Sequence, residues 1–164
     1  MSTLYCVELV ALSIVLLKVL SRSLFDQILS DRCSDLCVCE LVWERLGYER
    51  NAQGDWVPGP TLSVEWLDAF PEPPQIIAER PASVRLTRSI AKQHKQLLKQ
   101  QLGFAGYRIG ELYPRRTRRA TAVSWLLAWL AERDEPLAEQ GPLAPELPVP
   151  QAPVQGHPGD LPVK

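Results

Sequence analysis

Hydrophobic residues recur at helical intervals along most of the chain, in stretches separated by glycine and proline. Leu20, Leu24 and Ile28 fall on one stripe. The segment SRSLFDQILSD (21–31) opens on a serine able to cap a first turn, which predicts an amphipathic helix. A second stripe, Leu36, Cys39, Val42, Trp43 and Leu46, follows Ser34 or Asp35 as cap and stops at Gly47. Glu40 and Glu44 lie off that face and are expected in water. Residues 48–56, YERNAQGDW, place turn formers between aromatic residues and predict a short hairpin or tight loop.

Further along, Ser63 is placed to cap VEWLDAF, and Pro71, Pro73 and Pro74 end that helix. QIIAER reads as a short helical piece ended by Pro81, and VRLTR (84–88) as extended chain. Ser89 then caps a helix over 90–102, with Gly103 as a left-handed stop and Phe104 folding back on it. Gly106 and Gly110 make FAGYRIGELYP an irregular connection. Pro114 opens a last helix without an internal breaker over 115–133. Val123, Leu126, Leu127 and Leu130 form its core face, which makes it the central packing helix.

Composition sets the limits of this helical pattern. With 164 residues the chain suits one modest domain and is short for the large α/β barrels. Eight of its 15 prolines fall between Pro136 and Pro162, and 136–164 contains no Trp, Phe, Tyr or Met, so no core is expected there. At the other end, LVALSIVLL (9–17) resembles the centre of a signal peptide or the start of a membrane span. Glu8 before it, Lys18 after it, the lack of a preceding basic group and the absence of a small-residue cleavage pattern favour the start of a soluble chain. A membrane anchor and a cleaved targeting segment are the alternatives. The expected organisation is an apolar extension (1–20), a single compact mainly α domain with a short hairpin or irregular connections (21–135), and a disordered proline-rich tail (136–164). Membrane contact is expected, if anywhere, only through residues 4–20.

The net charge of −1 hides a segregation: residues 1–79 hold 5 basic and 12 acidic groups, 80–119 hold 11 and 1, and 120–164 hold 2 and 6. The basic block must meet either the chain's own acids or an outside anion. Arg115, Arg116, Arg118 and Arg119 crowd the positive end of the last helix, where they oppose its dipole and call for a compensating anion. Glu111 and the acidic half of the domain are one source of that anion; phosphate, nucleic acid, lipid headgroups or an acidic protein are the others. Trp125 and Trp129 share a side with Arg118 and Ala122 away from the leucine face, so they either fill the core or meet a partner.

These features select a non-catalytic macromolecule-binding or assembly module, with Arg115, Arg116, Arg118, Arg119, Trp125 and Trp129 meeting an acidic protein partner. The alternative is a nucleic-acid-binding protein using the basic segment 80–119 through Arg85, Arg88, Lys92, Lys95, Lys99 and Arg108. A small enzyme without a linear motif is the third reading. No catalytic residue is assigned. His94 sits among lysines without a nucleophile beside it, Asp68 and Glu72 flank prolines, and the glycines at 103, 106 and 110 do not form a phosphate loop. No cofactor is called for. Of Cys6, Cys33, Cys37 and Cys39, the last three cannot converge from one helix, so no metal site is assigned and small buried thiols in a reducing compartment are expected.

The segments LVWERLGY (41–48), ERPASVRLTRSI (79–90), HKQLLKQQLGFAGYRIGEL (94–112) and PRRTRRATAVSWLL (114–127) resemble a mainly cyanobacterial family, domain of unknown function 1823. The resemblance spans roughly residues 23–131. It carries no activity, cofactor or site residue to individual positions. It implies a cyanobacterial, cytoplasmic setting, with the apolar start and the proline-rich tail lying outside the shared domain.

Overall fold

The computed structural model describes residues 17–164. It is mainly helical: α1 (Arg22–Leu29), α2 (Asp35–Leu46), a hairpin of β1 (Tyr48–Arg50) and β2 (Trp56–Pro58), α3 (Val64–Ala69), α4 (Arg80–Ser89), α5 (Leu97–Leu102) and α6 (Pro114–Glu132). Short 3₁₀ turns occupy Lys92–His94 and Ile109–Glu111. The apolar run at 9–17 falls almost entirely outside the described residues. Among those described, no helix is long and apolar enough to cross a membrane.

Local hydrogen bonding explains most element boundaries. Ser21, Ser34 and Ser63 each accept from the backbone N–H three residues on, satisfying donors that a helix start leaves unpaired. Gly47 (φ +116) and Gly103 (φ +66) adopt the left-handed conformation that closes α2 and α5. Beyond Gly103, the Phe104 N–H returns to the Leu98 carbonyl at 3.3 Å. The hairpin is antiparallel, with Glu49 opposite Val57. Its turn is organised by the Asn51 side chain, which accepts from the N–H groups of Gln53 and Asp55.

α6 is the central helix, packed against α1, α2, α4 and α5. Ala122, Val123, Leu126, Leu127 and Leu130 bury their side chains against Leu24, Phe25 and Ile28 of α1, the Val38 to Leu46 face of α2, and Ala82 and Leu86 of α4. Each leucine or isoleucine removed from water here contributes about 1.5–3 kcal/mol before entropy is counted. Trp43 closes the other side of α2, its indole N–H donating to the Pro74 carbonyl at 2.7 Å.

Four local expectations are corrected. Residues 84–88, read as extended, lie inside α4, because Pro81 starts that helix where it was expected to end the preceding piece. In QIIAER, residues 76–78 form a turn and only Arg80 is helical, as the first residue of α4. The helix expected over 90–102 is divided: Ile90 and Ala91 are extended, Ile90 is buried, and only Leu97–Leu102 is α-helical. Leu36, expected on the buried stripe, is exposed, whereas Glu40 and Glu44 are largely covered. Glu40 pairs with Arg50 and accepts from the Trp56 indole at 3.0 Å.

Residues 136–164, expected as a disordered tail, contain neither helix nor strand and follow a specific path over the domain. The N–H groups of Arg22 and Ser23 donate to the carbonyls of Ala138 and Glu139. Buried Gln27 exchanges two hydrogen bonds with the Ala144 backbone, at 2.9 and 3.0 Å. Leu147 N–H donates to Arg32, and Lys164 N–H to Ala78. Backbone pairing, the buried Gln27 amide and the ion pairs Arg22–Glu139 and Arg32–Glu146 hold the coil where the composition offers no aromatic groups.

Candidate functional site

Two arrangements on α6 bear on function: the arginines near its start and the tryptophans of its C-terminal half. Asp31 follows α1 in the left-handed conformation (φ +63), one that aspartate tolerates better than most side chains. This aims its carboxylate at the start of α6. Arg115 meets it through two prongs, Nη1 to Oδ2 at 2.7 Å and Nη2 to Oδ1 at 2.8 Å. Arg115 also donates through Nε to Asp35 Oδ2 at 3.0 Å. Arg119 binds Asp35 Oδ1 at 2.8 Å and the Ile28 carbonyl, and its Nη2 lies 3.3 Å from Cys33 Sγ. Arg116 reaches Asp31 at 3.2 Å and stacks over Tyr107 and Tyr113.

The anion that offsets the α6 start is therefore internal for three of the four arginines. Arg115 and Arg119 are 0% exposed, so with the coil in place the charge they were expected to offer a partner is met by the chain's own carboxylates. Arg118 is half-buried and donates to the carbonyls of Ile77 and Lys164 at 2.9 and 2.8 Å. Burial works against the charge of Asp31, but Arg115, Arg119 and Arg116 outweigh it and hold the carboxyl below its usual range. His157, which lies in the coil, is buried beside this cluster. Its Nε2 faces the Pro148 carbonyl at 2.9 Å, so Nδ1 accepts from Arg115 at 3.3 Å and neither ring nitrogen faces a nucleophile. His94 is half-exposed on the 3₁₀ turn.

Trp125 and Trp129 are half-buried and border a cleft between α3, α4 and α6. The Trp125 indole N–H donates to Ser89 Oγ at 3.1 Å. Trp129 lies between two guanidinium groups, Arg133 at 3.9 Å and Arg45 at 5.2 Å from its ring centre. Together with Trp66 they line a cleft of about 340 Å³ that Arg45, Glu132 and Arg133 also border. A second cleft of about 440 Å³ shares Ser63, Trp66 and Ser89 with the first and carries Glu65, Arg85 and Arg88. Arg85 stacks over Trp66 and Phe70. Two donors under this surface, Arg45 Nε and Trp129 Nε1, are buried without an acceptor. Burial lowers the Arg45 pKa although Glu44 and Glu135 act to raise it.

Arg85, Arg88, Lys92, Lys95, Lys99 and Arg108 are all exposed, and among the described residues none takes part in an ion pair. They are not gathered at one cleft. Arg85 and Arg88 border the Trp66 cleft, while Lys95 and Lys99 border another of about 330 Å³ beside Phe104 and Tyr107. Cys33, Cys37 and Cys39 are free thiols, two of them buried. Among the described residues no three His, Cys, Asp or Glu side chains converge as metal ligands.

Sequence reasoning missed Trp66, Arg45, Ser63 and Ser89 as neighbours of Trp125 and Trp129. The helical spacing of VEWLDAF shows that Trp66 faces inward, but nothing local shows which helix it meets. It also missed Asp31, Asp35 and Asp160 as the specific partners of the arginines, a pairing spanning 80 or more residues for the first two.

None of the curated proteins compared matches the chain. One solved structure, a solution NMR structure, is 48% identical to it, with a TM-score of 0.62. The match covers 98% of that chain and 71% of this one. A family model described as domain of unknown function (DUF1823) matches residues 19–131, the stretch holding all six helices except the last residue of α6. The chain belongs to the DUF1823 family.

Proposed function

We propose that the domain is a non-catalytic protein-binding or assembly module that docks an acidic, partly apolar segment of another protein in the tryptophan cleft between α3, α4 and α6. The observation that carries this reading is the joining of three indoles, Trp66, Trp125 and Trp129, to a rim of three exposed arginines and two glutamates, namely Arg85, Arg88, Arg133, Glu65 and Glu132. Indole surface supplies large contact area with few rotors, and guanidinium forks match carboxylates. The excess of positive charge selects an acidic partner.

The site differs from the one expected at the α6 start. Trp125 and Trp129 keep their place in it, and Arg85 and Arg88 take over from Arg115 and Arg119. The free thiols at Cys33, Cys37 and Cys39 support a cytoplasmic setting.

A second reading, nucleic-acid binding, is favoured by the six exposed cations at positions 85, 88, 92, 95, 99 and 108, which take part in no ion pair among the described residues. The test is selection of a displayed random-peptide library on the full chain, alongside titration of a single-stranded oligonucleotide. Enrichment of peptides that place Asp or Glu beside Leu, Phe or Trp supports the protein reading. No enrichment, with oligonucleotide binding that weakens steeply as salt rises, would move the assignment to nucleic acid.

A further inference from the structure

Beyond residue 131, where the family match stops, the chain runs back over the start of α6 and places a carboxylate in the buried arginine cluster. The cluster holds three guanidinium groups, Arg115, Arg116 and Arg119, and the family domain answers with two carboxylates, Asp31 and Asp35. Asp160 supplies the third. Its Oδ2 lies 3.2 Å from Arg115 Nη2, and its Oδ1 accepts at 3.0 Å from the Asp35 N–H in the first turn of α2. One carboxylate thus meets a guanidinium and the positive end of a helix together.

The coil is shaped for this contact. Gly156 (φ +87) passes so close over the cluster that a Cβ there would lie 2.5 Å from Arg115 Nε. The His157 N–H donates to Asp160 Oδ2 at 2.8 Å, turning that side chain inward. A cleft of about 1160 Å³ opens between Pro114, Arg118 and residues 147–164. No helix or strand fixes this stretch.

We propose that residues 148–164 are a displaceable internal ligand of a carboxylate site on the domain, built from Arg115 and the Asp35 N–H, and that an acidic peptide segment takes the site when the coil lifts. Lifting the coil with nothing in its place removes one of the three carboxylates that balance the three guanidinium groups. Exchanging one carboxylate for another conserves the charge balance and the hydrogen bonds, so displacement is the accessible route. This site lies at the opposite end of α6 from Trp129 and does not rest on the tryptophan cleft.

The test is amide hydrogen exchange on the full chain. Asp160→Asn, nearly isosteric, and Asp160→Ala should each speed exchange at the Asp35 amide and across 153–160 by about tenfold or more, the size expected for losing a charged hydrogen bond. Protection at Leu126 and Leu127 should persist and shows that the domain is folded. Excess synthetic peptide of residues 148–164 added to the Asp160→Asn chain should restore protection at the Asp35 amide, and the same peptide with Asn at its aspartate should not. Unchanged exchange in both variants would overturn the proposal. So would failure of the carboxylate peptide to restore protection, or equal restoration by both peptides.

Discussion

Arg115 and Asp31 form a two-pronged ion pair with both side chains closed to solvent, joining the first turn of α6 to the residue that follows Ser30 at the end of α1. A helix whose first two turns carry four arginines is opposed by its own dipole; this pair, together with Asp35, places negative charge where that dipole needs it. Asp31→Ala should therefore destabilise the fold by about 3–5 kcal/mol, because it leaves a buried guanidinium without its main partner. Chemical denaturation of the variant checks the figure.

The same pairing sets an acid limit on stability. The folded Asp31 carboxyl is held below the usual 3.8. Its contribution is present above that pKa and is lost as pH falls through the lower folded value. The melting temperature of the native chain should drop more steeply below about pH 4 than that of Asp31→Asn, which has no proton to take up. Melting curves between pH 3 and pH 6 decide this.

Much of this framework is legible in the sequence, for reasons that are local. Ser21, Ser34, Ser63, Gly47 and Gly103 mark element ends because each satisfies or permits a backbone bond within a few residues. Pro81 is ambiguous for the same reason: a residue without an N–H suits the stop of one piece or the first turn of the next, and the burial of Ala82 and Leu86 decides for the second. The break in 90–102 has no local signal. It follows from burying Ile90 while Ser89 accepts from Trp125 on α6. The arginines at 115–119 announce that an anion is needed, but whether it comes from within depends on Asp31, Asp35 and Asp160 arriving from distant parts of the chain. The coil beyond 135 is illegible by composition, because it is held by backbone bonds and by Gln27, Arg115 and Arg118.

Thiol reactivity should follow burial. Burial pushes the Cys39 thiol up to about 12 and raises that of Cys33, whereas Cys37 is part-exposed. In the folded chain a thiol-specific alkylating reagent at pH 8 should modify Cys37 well before Cys33 and Cys39, and all three should react together in denaturant. Mass spectrometry of the time course reads the order.

The core role of α6 has a simple measure. Leu126 is fully buried, and Leu126→Ala should cost about 2–5 kcal/mol, the range for a core leucine replaced by alanine. Leu112→Ala, at an exposed position in the connection before α6, should cost less than about 0.5 kcal/mol. Urea denaturation of the two variants checks the contrast.

The division between arginines that neutralise the fold and arginines that meet a partner is tested most directly by calorimetric titration of a selected acidic peptide into the native chain and into Arg85→Glu, Arg88→Glu. Both positions are exposed and, among the described residues, in no ion pair, so the double variant should fold normally and bind the peptide at least about tenfold more weakly. Equal affinity in the folded double variant would contradict the assignment of the cleft.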